Sequence, residues 1–180
     1  MLKKAFLATV CVGSLLTAVP YSLISAHAEP LTAAQQSALN AAMSSVENLI
    51  IQYQSDPDGL QAAIQSLVEN AADPEIVGNA VVSVFNDPAN ETVKSILSSK
   101  PGLVDAGGNG LGAAIATIGV TNPTLASQMM SYVQANGGSK FASSVQSGSD
   151  TQTSSIQQQN NTGNDNISND STPETPASGS

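Results

Sequence analysis

Six carboxylates near proline residues are the first side chains to consider for catalysis. They lie at three Asp-Pro steps or shortly after them, at Asp56, Asp58, Asp73, Glu75, Asp87 and Glu91. Two carboxylates can act as general acid and general base when an apolar environment or a close neighbour keeps one of them protonated. The six have mainly polar and turn-forming neighbours instead. Asp before Pro is typical of a helix start, because Asp accepts hydrogen bonds from free backbone N–H groups and Pro suits the first helical position. We therefore interpret the six as helix-start residues rather than as catalytic pairs.

Most of the chain lacks the side chains on which many enzymes depend. Its one histidine, His27, and its one cysteine, Cys11, both lie near the amino terminus, and the chain contains no Arg or Trp. Beyond His27, the sequence therefore excludes Ser-His-Asp and Cys-His catalysis, zinc sites built on His or Cys, and haem ligation by His or Cys. We predict no catalytic residue, no metal ligand and no cofactor.

Two short motifs resemble ligand-binding loops but lack residues that such loops need. The motif Asp-Pro-Asp-Gly at residues 56–59 begins like a calcium loop, but Leu60 and Leu67 stand where an EF-hand has an oxygen ligand and a Glu. The glycine-rich run from Gly107 to Gly112 lacks the Gly-Lys-Ser/Thr end of a P-loop and the preceding strand of a dinucleotide-binding fold. We interpret this run as a flexible loop that leads into a helix.

The amino-terminal residues 1–28 have the three parts of a secretory signal peptide. They contain two lysines, an apolar stretch from residue 5 to residue 19, and an Ala-x-Ala cleavage signal that ends at Ala28. An uncleaved membrane anchor is the alternative, since residues 5–26 could just span a bilayer. Pro20 and the Ala-x-Ala signal favour cleavage. We expect a mature chain that begins at Glu29 and is exported to the periplasm, the cell surface or the extracellular space.

The acidic charge of the chain limits its partners. The whole chain has a formal net charge of −9, and two of its five cations lie in the predicted signal, whereas all fourteen carboxylates follow it. The exported form therefore has three lysines and a net charge of −11. Such a surface repels phosphate backbones and anionic lipid headgroups. We expect no nucleic-acid partner and no stable membrane insertion after signal cleavage.

The stretch between the signal and the tail has apolar residues at helical spacing. In its first helix, apolar residues recur at steps of three and four from Leu39 to Tyr53. A capping box is predicted at Thr32, and further helices are predicted to start at Asp56, Asp73, Asp87 and Asn122. The spacing between the prolines is irregular, so it indicates no known repeat family. The predicted fold is all-α: an irregular bundle or degenerate array of about six short amphipathic helices.

The carboxyl-terminal part of the chain has a different composition. From about residue 138 to Ser180 it consists largely of Ser, Thr, Gln, Asn, Gly and Asp, with few apolar residues such as Phe141 and Val145. A segment of this kind buries too little apolar surface to offset its ordering entropy. We predict three parts: a signal peptide at residues 1–28, a helical domain at 29–137 and a disordered tail at 138–180.

These features favour a non-catalytic role. The leading hypothesis is a protein-interaction or structural module of the cell envelope or extracellular space, which meets a protein partner through an apolar helix face. A carrier that holds a small apolar ligand in a cavity of the bundle is the alternative. An enzyme of unknown type is the third choice, because so few catalytic side chains remain.

Overall fold

The computed structural model describes residues 31–162 of the chain. The predicted signal peptide and residues 163–180 of the predicted tail lie outside the described residues. The described part contains seven α-helices and no strand, which confirms the all-α fold class. The helices are α1 (Ala33–Gln52), α2 (Pro57–Glu69), α3 (Pro74–Asn86), α4 (Glu91–Ser99), α5 (Gly102–Thr121), α6 (Pro123–Asn136) and α7 (Ser139–Thr162).

The helices form an irregular bundle rather than a linear array. In an array each unit packs mainly on its neighbours along the chain. Here α5 packs most extensively on α7 and α2, and α1 packs most extensively on α3, so each skips the helix next to it. Because these contacts join distant parts of the sequence, the core is shared by the whole described domain.

The apolar stripes predicted from helical spacing form this core. The side chains of Val46 and Ile50 in α1 are fully buried, and so are Leu60, Ile64 and Val68 in α2, which recur every fourth residue. A fully buried aliphatic side chain of this size contributes about 1.5–3 kcal/mol. The bundle therefore obtains its stability mainly from aliphatic packing. Its β-branched segment in α3, whose local propensity also allows a strand, is helical and mostly buried.

The interpretation of the glycine-rich run as a flexible loop is wrong. Residues Gly107 to Gly112 lie within α5 and are mostly buried. At Gly112, an added Cβ would collide with the carbonyl oxygen of Val145 and would lie 2.7 Å from the backbone nitrogen of Ser149 in α7. At Gly108, an added Cβ would lie 2.5 Å from the Cβ of Ser144 in the same helix. These glycines therefore let α5 and α7 approach closely, and that packing outweighs the low helix propensity of Gly.

The predicted boundary between the helical domain and the tail is also wrong. Residues Ser139–Thr162 form α7, which buries Phe141, Ala142 and Val145 against the core. The ring of Phe141 stacks on that of Phe85 in α3 at a centroid distance of 5.3 Å. The polar composition of this segment suits a helix that has one narrow apolar stripe and is otherwise exposed. The helical domain therefore extends to residue 162.

Polar contacts join the beginning of α7 to the beginning of α5. The Lys140 ammonium lies 3.3 Å from the Asp105 carboxylate and donates a hydrogen bond to the Pro101 carbonyl oxygen at 3.1 Å. The Ser144 hydroxyl donates to the other oxygen of Asp105 at 3.1 Å. These groups are half-buried or exposed, so their contribution to stability is small.

Helix α5 is long and apolar enough to cross a membrane by length and composition alone. Just over half of its most apolar stretch, 56%, is buried inside the bundle. The core helix of a soluble protein can be equally long and apolar. Its apolar character is explained by its central position among α2, α6 and α7.

Candidate interaction surfaces

Three of the residues predicted to start helices act as N-caps. The carboxylate of Asp56 accepts a hydrogen bond from the Gly59 N–H at 3.0 Å, and that of Asp73 accepts one from Ile76 at 3.2 Å. The Asn122 side chain accepts one from the Leu125 N–H at 3.1 Å. In each case Pro occupies the first position of the helix that follows. These acidic and amide groups are therefore committed to backbone donors.

The capping box predicted at the start of α1 is confirmed. The Thr32 hydroxyl oxygen accepts a hydrogen bond from the Gln35 N–H at 3.3 Å, and the Gln35 side-chain oxygen accepts one from the Thr32 N–H at 3.0 Å. The two residues thus satisfy each other's free donors.

The predicted helix start at Asp87 is wrong. Asp87 is the C-cap of α3, and its backbone N–H donates to the Ser83 carbonyl oxygen at 2.9 Å. Helix α4 begins three residues later than predicted, with Asn90 as its N-cap. The Asn90 side chain accepts hydrogen bonds from the N–H groups of Thr92 and Val93 at 3.0 and 3.4 Å. Two residues three positions apart could cap this helix, and Asp87 instead ends α3, so Asn90 serves as the cap.

The candidate carboxylates are not brought together into an acidic centre. No group of three or more His, Cys, Asp or Glu residues in the described chain is placed to hold a metal ion. In residues 31–162 no polar or charged residue is fully buried. Asp58, Glu75 and Glu91 each lie in the first turn of a helix, where negative charge is favourable beside the helix dipole. This arrangement performs a structural role.

The three lysines of the described chain also have partners. Lys94 lies 3.8 Å from Glu91 within α4, and the Lys100 ammonium donates to the Gln54 carbonyl oxygen at 2.9 Å. Lys140 joins α7 to α5, as described above. Lys100 and Lys140 therefore link separate segments of the chain, whereas Lys94 pairs within its own helix.

Two open grooves in the described residues have mainly apolar linings. The first lies between α1, α2 and α3, and we call it the N-terminal groove. Its volume is about 510 Å³. Small α1 residues form one wall, and the end of α2 with the start of α3 forms the other. The lining residues are Ala38, Ala41, Ala42, Ser45, Ser66, Leu67, Asn70, Ala71, Ala72, Asp73, Ile76 and Val77. Asp73 is the charged residue among them, and most of the others are apolar.

The second groove lies between the end of α5, α6 and the middle of α7, and we call it the C-terminal groove. Its volume is about 460 Å³. Apolar side chains of α5 and α6 line it together with hydroxyl and amide groups of α7, and no charged residue is among them. Val120 lies at this groove with 64% of its surface exposed, which is unusual for a large aliphatic residue in this domain.

Charge is distributed unevenly between the two ends of the domain. Helices α1, α2 and α3 together with the N-cap residues Asp56 and Asp73 carry six carboxylates and no cation, because the first lysine of the described chain is Lys94 in α4. The remaining described residues carry four carboxylates and three lysines and are thus nearly balanced. The N-terminal groove therefore lies on helices with a strongly negative field.

Helical spacing did not predict the two grooves, although the sequence pointed to apolar faces as the place to look for function. The N-terminal groove exists because α1 presents Ala and Ser at residues 38, 41, 42 and 45, whose side chains are too short to fill the space beside α3. Runs of small residues are a weak signal, since they also occur on buried or featureless helix faces.

Comparison of the chain with protein-family models, with curated proteins and with solved structures gives no match.

Proposed function

We propose that this protein is an exported, non-catalytic interaction module that meets a protein partner through the N-terminal groove. The observation that carries the proposal is the groove itself, which is open, mostly apolar and about 510 Å³ in volume. Apolar surface of this kind gains free energy when another chain covers it. A groove between helices is also a common docking site for a partner helix.

The chemistry of the remaining side chains supports a binding role over catalysis. After His27 the chain has no His, Cys or Arg, and the carboxylates of Asp56 and Asp73 cap helices. An enzyme would need a nucleophile, base or electrophile converging in a cleft. The groove offers instead one carboxylate beside alanines and aliphatic side chains. An enzyme of unknown type remains the third choice.

Export to the periplasm, the cell surface or the extracellular space is part of the proposal. It rests on the lysines, apolar stretch and Ala-x-Ala signal of residues 1–28. Amino-terminal sequencing of the protein from its own host tests it, and the expected first residue is Glu29. Recovery of the intact amino terminus from the membrane fraction would support an anchor instead.

A groove-filling substitution tests the interaction. Ala41 is exposed on α1 and lines the N-terminal groove, so Ala41→Trp fills the groove at a helix-propensity cost of roughly 0.5 kcal/mol. Ser127→Trp, at an exposed residue of the C-terminal groove, is the matched control. After cross-linking in the host envelope fraction, Ala41→Trp should lose the partner that wild type and Ser127→Trp retain. Equal capture by all three proteins would reject the N-terminal groove as the docking surface.

A carrier of a small apolar ligand is the second candidate, favoured by the C-terminal groove. Its lining of aliphatic side chains with a few hydroxyl and amide groups, at about 460 Å³, has the composition and size of small-molecule sites. Its openness to solvent is less suitable, since such sites usually enclose most of the ligand.

Native mass spectrometry of the mature protein from its own host tests the carrier hypothesis. A carrier should retain a bound lipid-like molecule, and Ser127→Trp should lose it while Ala41→Trp keeps it. A protein whose mass equals that of the bare chain in both its wild-type and variant forms would reject this function.

A further inference from the structure

We propose that the partner segment for the N-terminal groove is a cationic amphipathic helix, with an apolar face that enters the groove and Lys or Arg residues beside it. This inference rests on the proposed function and names the chemistry of its partner. Two independent features carry it: the shape and lining of the groove, and the negative charge of the three helices that form it.

The shape of the groove suits a helix. Along α1, its wall is made by residues 38, 41, 42 and 45, which follow the three-four spacing of one helical face. This wall extends about 10 Å, or about two helical turns, at 1.5 Å per residue. Because the wall consists of Ala and Ser, a partner backbone can approach closely. The opposite wall offers Leu67, Ile76 and Val77 for contact with larger apolar side chains.

The charge around the groove determines which helix fits. Asp73 lies in the lining, and Glu75 follows it as an exposed residue in the first turn of α3. Glu47 in α1 and Glu69 in α2 add negative charge to the same helices, and none of the three helices carries a cation. Cationic side chains at the edge of a docked helix would find complementary charge, which accelerates association and selects against acidic partners.

The same charge argues against the other occupants of an apolar groove. A second copy of this chain would bring a second set of six carboxylates against the first. Residues 163–180 contain Asp165, Asp170 and Glu174 and no cation, so their charge is also unfavourable for this position. A neutral apolar molecule would gain nothing from the charge asymmetry.

A pair of designed peptides tests the inference directly. The probe is a labelled peptide of about 18 residues, or five helical turns, with Leu and Ala on one face and Lys on the other. Its control has Glu in place of every Lys. Binding of each to the chain from Glu29 to Ser180 is measured by fluorescence anisotropy. We expect the Lys peptide to bind and the Glu peptide not to bind. Binding of the Lys peptide should weaken as ionic strength rises and the Debye length falls from about 30 Å at 0.01 M to about 8 Å at 0.15 M.

Charge-neutralising variants show whether the peptide uses this surface. Asp73→Asn with Glu75→Gln removes two charges near the groove and keeps the cap, because Asn caps helices as well as Asp. We expect the dissociation constant to rise about fivefold. The matched control, Glu91→Gln with Asp150→Asn, removes one first-turn glutamate and one exposed aspartate from α4 and α7. It should change binding less than about twofold. The groove-filling Ala41→Trp should weaken binding of the Lys peptide, and Ser127→Trp should not.

Several results would overturn the inference. These are failure of the Lys peptide to bind, equal binding of both peptides, and equal weakening by the two charge-neutralising pairs. If the Lys peptide fails but Ala41→Trp still loses a host partner that Ser127→Trp retains, the interaction function stands and the cationic partner is rejected. If Ala41→Trp retains both the host partner and binding of the Lys peptide, the docking surface is rejected as well.

Discussion

Acidic and amide residues at the start of helices account for much of the local order of this protein. The side chains of Asp56, Asp73, Asn90 and Asn122 all accept hydrogen bonds from backbone N–H groups two or three residues ahead. A carboxylate in this position also lies beside the positive end of the helix dipole. Their spacing along the chain therefore reflects where helices begin.

Substitution of Asp56 tests whether its role is capping or charge. Asp56→Ala should lower the free energy of unfolding by about 1 kcal/mol, whereas Asp56→Asn should change it by no more than about 0.3 kcal/mol. Urea unfolding followed by far-UV circular dichroism measures both. Asp87→Ala is the control, since Asp87 follows α3 and precedes no helix directly. Equal losses for Asp56→Ala and Asp56→Asn would show that the charge, and not the cap, is needed.

The close packing of α5 on α7 is the helix contact that depends most on particular residue types. Gly108 and Gly112, four residues apart, form one side of the contact, and Ser144 and Gly148 form the other. At Gly148, an added Cβ would collide with the backbone of Asn109 in α5. Small residues on both helices thus bring the two backbones together. Helix α5 has so many glycines that it would be unstable in isolation, and α7 supplies the packing that stabilises it.

Alanine substitutions in α5 distinguish this packing from simple helix propensity. Gly112→Ala gains about 1 kcal/mol of propensity but drives its Cβ into the backbone of α7, so a net loss of about 1–3 kcal/mol is expected. Gly119→Ala meets its nearest neighbour, the Cβ of Ala126, at 3.5 Å, an ordinary contact. It should therefore stabilise the protein by up to about 1 kcal/mol. Thermal unfolding of both variants checks the signs, and stabilisation by Gly112→Ala would contradict the close helix contact.

The whole domain depends on α7, because that helix covers the central helix α5. Its buried residues Phe141 and Val145 are 3% and 0% exposed, respectively, and belong to the same core as α2, α3 and α6. The Phe141 ring also stacks on Phe85. Each large apolar side chain that loses its cover costs about 1.5–3 kcal/mol, and a domain of this size has only about 5–15 kcal/mol of stability. Residues 139–162 are thus part of the folding unit.

Two truncations test the extent of this unit. A chain from Glu29 to Gly138 should lose cooperative unfolding or melt at least about 15 °C lower, because α5 and Phe85 lose their cover. A chain from Glu29 to Thr162 should melt within about 3 °C of the chain that ends at Ser180, since the polar composition of residues 163–180 predicts little core contribution. Differential scanning calorimetry measures both transitions. An unchanged melting temperature for the shorter chain would show that α7 is dispensable.

The sequence by itself determined the all-α class, the starts of α1, α2, α3 and α6, and most of the aliphatic core. These features depend on hydrogen bonds between residues three apart and on spacing within one helix, so both partners can be read from one short stretch. The error at Asp87 arose because Asn90, three residues later, could cap the same helix.

The tertiary structure alone decided the state of the glycine run, the length of the helical domain and the grooves. Gly112 is helical because it meets the backbone at Val145 in α7, far along the chain, and α7 is ordered because it meets α5. The local sequence of neither α5 nor α7 has enough helix propensity to predict the full extent of the helix. The N-terminal groove likewise depends on where α1 lies against α2 and α3, since small side chains create a groove only when neighbouring helices leave space above them.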